Sequence, residues 1–140
     1  MASRNLETYQ RLKDQAEFEA DLTSEKSQQA MLEAFTPDFE IIEPPSLPQG
    51  GVHKGRDAWL KMHGIMRSLW QQKVWVEHTW DVPEDDIIVL YSTMEWTANA
   101  TGRTARFPAV ELLRFRDGRI AKVEMFLQDT KVILDTLAQN

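Results

Sequence analysis

The hydrophobic positions of this chain change period once. In the N-terminal half, Leu6, Tyr9, Leu12 and Ala16 recur at three- and four-residue steps, the spacing of one helical face. A second helix is expected after a cap at Thr23 or Ser24, with Glu25 in its first turn and Met31, Ala34 and Phe35 on its apolar side. Pro37 ends it. Residues 39–43 read as a short strand closed by Pro44-Pro45, because proline has no N–H to give to a ladder. A third helix opens at Gly55 and carries Trp59, Met62, His63, Met66 and Trp70 on one side. Gly64 inside it costs about 1 kcal/mol relative to alanine.

From Lys73 the period is two. Val74, Val76, His78 and Trp80 alternate with Trp75, Glu77, Thr79 and Asp81, and a turn follows at residues 83–86. Strands are expected over 87–97, 106–116 and 120–128, with turns at Thr101-Gly102 and Asp117-Gly118. Asp129-Thr130 starts a last short helix that ends near Gln139. Helices come first and strands last. That order predicts an α+β protein with helices on one face of a curved antiparallel sheet.

Composition narrows the function classes. The chain has 140 residues, enough for one domain (1–140) with a real core. A formal charge of −6 with only scattered Lys and Arg argues against nucleic acid as a partner. With no cysteine, disulfides, thiolate catalysis and zinc–cysteine sites are excluded. No apolar run approaches membrane-spanning length. The first residues lack an apolar signal core, so a cytoplasmic location is expected.

The stretch "EIIEPPSLPQGGVHKGRDAW", residues 40–59, spends three prolines and two adjacent glycines between one strand and one helix. Together with "VELLRFRDGRIAKVEMF" and the closing "QDT", it resembles the SnoaL-like (polyketide cyclase-like) and ketosteroid isomerase-like branch of the nuclear transport factor 2-like fold. The resemblance covers nearly the whole chain. It implies a cone of bent sheet and three helices around an apolar pocket. The Pro/Gly segment would be a stiff rim leading from the cone's edge strand to the helix at its mouth. Cyclases of this type carry an aspartate five residues beyond the isoleucine that follows Asp-Gly; here that place is Met125, so their mechanism does not transfer. The matching place on the preceding strand holds Glu111, an ionisable group.

The Asp117-Gly118 turn decides which side chains share a face. A two-residue turn would set Glu111 against Glu124, an unfavourable like-charge pair. A glycine bulge sets Glu111 against Val123 and groups it with Leu113, Phe115, Met125 and Leu127, and is preferred. Asp129 continues that parity. If Thr101-Gly102 is a two-residue turn, Leu90, Ser92, Met94, Trp96 and Phe107 join the same face. Such a face is apolar with a few polar groups, as small-molecule sites are.

Candidate chemistry follows from that face. Glu111 among apolar neighbours is expected to have a raised pKa and to shuttle protons. His78, beside Val76 and Trp80, and His63, beside Met62 and Met66, are further acid–base candidates, although a lone histidine on an apolar face is commonly a core residue. Asp129 is either a second pocket acid or the N-cap of the last helix. His53 lies in the rim; Glu43 either lines the pocket or bonds the rim backbone. Trp59, Met62, Met66, Trp80, Ser92 and Met94 are candidate ligand contacts, as are Trp96, Phe107, Leu113, Met125 and Leu127. By default these are core, with the aromatic and methionine side chains suited to a flat ligand. No histidine stands at metal-ligand spacing, so no metal is expected.

The expected activity is cofactor-free acid–base chemistry on a hydrophobic small molecule: isomerisation, cyclisation, dehydration or epoxide opening. The alternative is a non-catalytic ligand-binding or dimerising module. A homodimer is expected in either case, because Tyr91, Thr93, Val110, Leu112 and Phe126 would make an apolar outer sheet face.

Overall fold

The period-two half of the chain builds the sheet, and the helices of the first half cover it. The computed structural model describes residues 2–14 and 25–138. Two helices, α1 (Arg4–Asp14) and α2 (Glu25–Ala34), precede strands β1 (Phe35–Glu43) and β2 (Gly51–Lys54). Helix α3 (Gly55–Leu69) leads into β3 (Trp70–Val82), a 3-10 turn (Pro83–Asp85) and β4 (Ile87–Ala98). Strands β5 (Thr104–Arg116) and β6 (Arg119–Leu127) and helix α4 (Thr130–Asp135) complete the chain. Ala16 and the caps expected at Thr23 or Ser24 lie outside the described residues.

The six strands form one curved, unclosed sheet in the order β2-β1-β6-β5-β4-β3. All neighbours are antiparallel except β1 and β6, which run parallel. No hairpin joins that pair, so no local turn fixes its direction. The fold is α+β, as the order of periods predicts. Its first strand differs in two ways. It starts at Phe35 and takes in Pro37, which falls where the register against β6 shifts between Phe35 and Glu40; a bulged ladder tolerates a missing N–H. Nor is it the edge. The rim itself contains β2, which pairs Ile41 with His53 and Glu43 with Gly51.

Two registers set the inner face. Asp117 and Gly118 both have positive φ, 53° and 75°, as a two-residue hairpin turn of the I′ type needs. The irregularity comes later, where Phe115 opposes Ile120 but Arg114 opposes Lys122. Ala121 is therefore the extra residue. Glu111 consequently faces Met125, and Val123 faces Leu113. The connection after β4 is longer than two residues, with Thr97 opposite Thr104, yet it keeps the parity and sets Met94 against Phe107.

The core lies between this face and the helices. Trp59, Met62 and Met66 of α3, Met31 and Ala34 of α2, and Tyr9 of α1 are buried with Leu90, Met94, Trp96, Phe107, Leu113 and Val123 of the sheet. The indole N–H of Trp70, at the start of β3, donates to the Thr136 hydroxyl at 2.9 Å and pins the C-terminal turn on that core.

Candidate functional site

The rim is a pair of consecutive turns. The Leu47 N–H donates to the Pro44 carbonyl at 3.1 Å, and the Gly50 N–H to the Leu47 carbonyl at 2.8 Å. Pro45 and Pro48 each occupy the second position of their turn, where a fixed φ near −65° fits. Gly50 is packed so closely that a Cβ there would lie 2.3 Å from the Pro44 oxygen. This folding returns Gln49, fully buried, onto Glu43, which is only 3% exposed. The Gln49 Nε2 donates to Glu43 Oε1 at 3.0 Å. Burial pushes the Glu43 carboxyl up to about 7, against the opposing pull of the Gln49 hydrogen bond.

Glu43 lines an open recess of about 500 Å³. Ile42, Pro44 and Pro45 form one side; Ala109, Met125, Leu127 and Gln128 form another, with Tyr91, Pro108, Val110 and Phe126 towards the outer face. The recess lies where β1 leaves β6. Their ladder ends at Ile42 opposite Glu124, and one further step sets Glu43 level with Met125. Met125 in turn pairs with Glu111. Two carboxyl groups thus share the inner face, their backbones on the order of 10 Å apart at two strand spacings. A carboxyl poised near neutrality in an apolar recess can both take and return a proton.

The other candidates are dispersed. Glu111 is half-buried, between Leu90 on β4 and Met125 on β6. His78 is exposed. A bulge between Val76 and His78 moves it from the face of Ser92 to that of Tyr91, where it stacks on Trp80 with centroids 5.5 Å apart. Trp80 is likewise outside, 51% exposed. His63 is half-buried with its ring 4.4 Å from that of Trp59; burial, and then the Arg67 charge, press its pKa down to about 4. Asp129 is exposed and caps α4, Oδ1 accepting from the Val132 N–H at 3.1 Å. The His53 Nε2 contacts the Gln49 carbonyl oxygen at 2.6 Å.

Met125 and Leu127 line the recess, whereas Trp59, Met62, Met66, Met94, Phe107 and Leu113 are buried core. Ser92 and Trp96 are each 1% exposed, and the Ser92 hydroxyl and Trp96 indole N–H find no partner among the described residues. Gln49 is the residue that sequence reasoning missed. Its signal was weak: one amide between Pro48 and Gly50, in a segment with no periodicity. Among the described residues, no group of three acidic or histidine side chains could hold a metal ion. No described helix is long and apolar enough to cross a membrane.

Comparison with known proteins bears on the family and the fold. The SnoaL-like domain model matches residues 17–123. The chain belongs to the SnoaL-like family. No curated protein matches it. Among solved structures it is similar to a nuclear transport factor 2-like protein of unknown function from Burkholderia pseudomallei, with 20% identity, a TM-score of 0.76 and 98% and 100% of the two chains covered. It is similar to TerC co-crystallised with polyporic acid, with 19% identity, a TM-score of 0.78 and 96% and 98% coverage. A third is a hypothetical protein with a ketosteroid isomerase-like fold from Catenulispora acidiphila in complex with trimethylamine, with 13% identity, a TM-score of 0.67 and 87% and 90% coverage. At these identities the likeness establishes the fold.

Proposed function

We propose that this SnoaL-like protein binds an apolar small molecule in the recess beside the rim and moves a proton on it, with Glu43 as the proton carrier and no cofactor. One observation carries the reading: a carboxyl that is 3% exposed, held by a single amide and lifted to about 7, lines an otherwise largely apolar recess. As the carboxylate it would take a proton from carbon or a hydroxyl; as the acid it would return it elsewhere on the same ligand. Isomerisation, cyclisation and dehydration all reduce to such steps. Two structural relatives were crystallised with small molecules, polyporic acid and trimethylamine, which is in keeping with a small-molecule site.

The test uses 2-tetralone, a flat bicyclic ketone with acidic protons next to its carbonyl. In D2O, wild-type protein should speed exchange of those protons above the buffer rate, and Glu43→Gln should lose that acceleration. Exchange no faster than buffer, or equal in the Gln variant, would remove Glu43 as the proton carrier. The outer sheet face, where Tyr91, Val110 and Phe126 stand side by side, is proposed as the contact with a second copy of the chain, which would then border the recess that the same three residues line.

A further inference from the structure

The geometry points to Gln49 as a positioning residue for Glu43: its buried amide holds the carboxyl against the rim and reverses when that carboxyl gains a proton. This rests on the proposed role of Glu43. Three observations carry it. Gln49 is wholly buried, on a loop whose two turns and crowded Gly50 leave it little freedom. Its Nε2 donates to Glu43 Oε1 at 3.0 Å. Its Oε1 is buried with no hydrogen-bond partner among the described residues.

The carboxylate only accepts, and takes the N–H side of the amide; the carboxylic acid keeps one accepting oxygen and adds an O–H donor, for which the orphaned Gln49 Oε1 is an acceptor. Rotation of the Gln49 amide by half a turn presents Oε1 to that O–H and gives the orphaned acceptor its donor. The backbone need not move, since the His53 Nε2 is held at 2.6 Å by the Gln49 main-chain oxygen, not by the amide. The amide thus offers a hydrogen bond to either form of Glu43 and keeps the side chain in one place through a proton cycle. Titratable or charged groups on the surrounding elements include His53 and Lys54 on β2, Arg56, Asp57, Lys61, His63 and Arg67 on α3, Glu111 on β5, and Lys122 and Glu124 on β6, which presents Met125 at this level.

Carboxyl-carbon and side-chain-amide NMR titrations of the full chain test the inference. In wild type, the Gln49 amide signals should shift with the same midpoint as the Glu43 carboxyl carbon. In Gln49→Met, which keeps the length and removes the amide, the Glu43 midpoint should rise, because of the two bonds lost the charge-assisted one to the carboxylate is the stronger. The pH–rate profile of tetralone exchange should move with it. A folded Gln49→Met with an unmoved Glu43 midpoint overturns the inference. If that variant does not fold, wild-type Gln49 signals indifferent to the Glu43 titration do so equally. Coincident titrations without catalysed exchange would instead refute the proton-carrier reading and leave the coupling of Gln49 to Glu43 standing.

Discussion

The hydroxyl of Thr8 donates to the carbonyl oxygen of Gly118 at 2.6 Å, tying α1 to the β5–β6 turn. One helical turn earlier, the Asn5 Nδ2 donates to Asp86 Oδ1 at 2.9 Å, at the β3–β4 connection. Helix α1 therefore clamps two tight turns at the same end of the sheet, through polar groups that its apolar face alone would not reveal.

Removing the Thr8 hydroxyl, or disturbing the Gly118 backbone that receives it, should loosen that end. Thr8→Val leaves a buried carbonyl without its donor, and a loss of about 1–2 kcal/mol is expected. Gly118→Ala keeps the carbonyl but should cost about as much, because φ of +75° is unfavourable for a residue with a Cβ and that Cβ would run into the Arg4 side chain. Denaturant unfolding of both variants measures this. Midpoints equal to wild type would show that the clamp contributes nothing.

The prolines of the rim act through the unfolded chain. Pro45 and Pro48 already hold the φ that the second positions of their turns require. Replacing each by alanine should enlarge the unfolded ensemble and lower stability by about 0.4–1 kcal/mol. Unchanged denaturant midpoints in both variants would show that the rim's stiffness lies elsewhere, for instance in the packing of Gly50 against Pro44 and Pro45.

Periodicity made most of the sheet legible, and local irregularity hid the rest. Parity along β4, β5 and β6 survived two miscounted turns because each error shifted the register by two residues, which preserves the face. The bulge at Ala121 shows only as a three-residue step between the buried Ile120 and Val123, a single break in an otherwise alternating strand. The bulge before His78 had the larger consequence: alternation carried this histidine inward, and one extra residue carried it out. Strand β2 is four residues long and starts with glycine, too little for a period to register. Glu43 was legible as a rim acid. Its partner was not, since Gln49 reaches it through two turns that only the folded chain displays.

The outer sheet face should hold two copies of the chain together. Phe126 is 54% exposed and Trp75 43% exposed, and Tyr91, Val110 and Phe126 form a row across β4, β5 and β6. Contiguous apolar surface of that kind is uncommon on a monomer. Light scattering at micromolar concentration should give twice the chain mass, and Phe126→Lys should shift it towards one. A monomer mass for wild type would leave the patch without this partner.

Glu43 should be a stability liability above neutral pH. Burial raises its pKa from 4.5 to about 7, so between these values the folded state holds a proton that the unfolded state has released. Stability attributable to this group therefore falls as pH rises from about 4.5 to 7 and stays low above that. The two pKa values set the full penalty on the order of 3 kcal/mol. Glu43→Gln removes the charge and keeps the amide contact within reach. The variant should match wild type near pH 4 and exceed it in stability at pH 8, as measured by urea unfolding at both. A constant difference across that range would mean that Glu43 does not titrate near neutrality in the folded protein. A Gln variant that is more stable at pH 8 but inactive towards 2-tetralone would place the cost and the chemistry on the same carboxyl, since functional sites are where a protein keeps an unfavourable buried group.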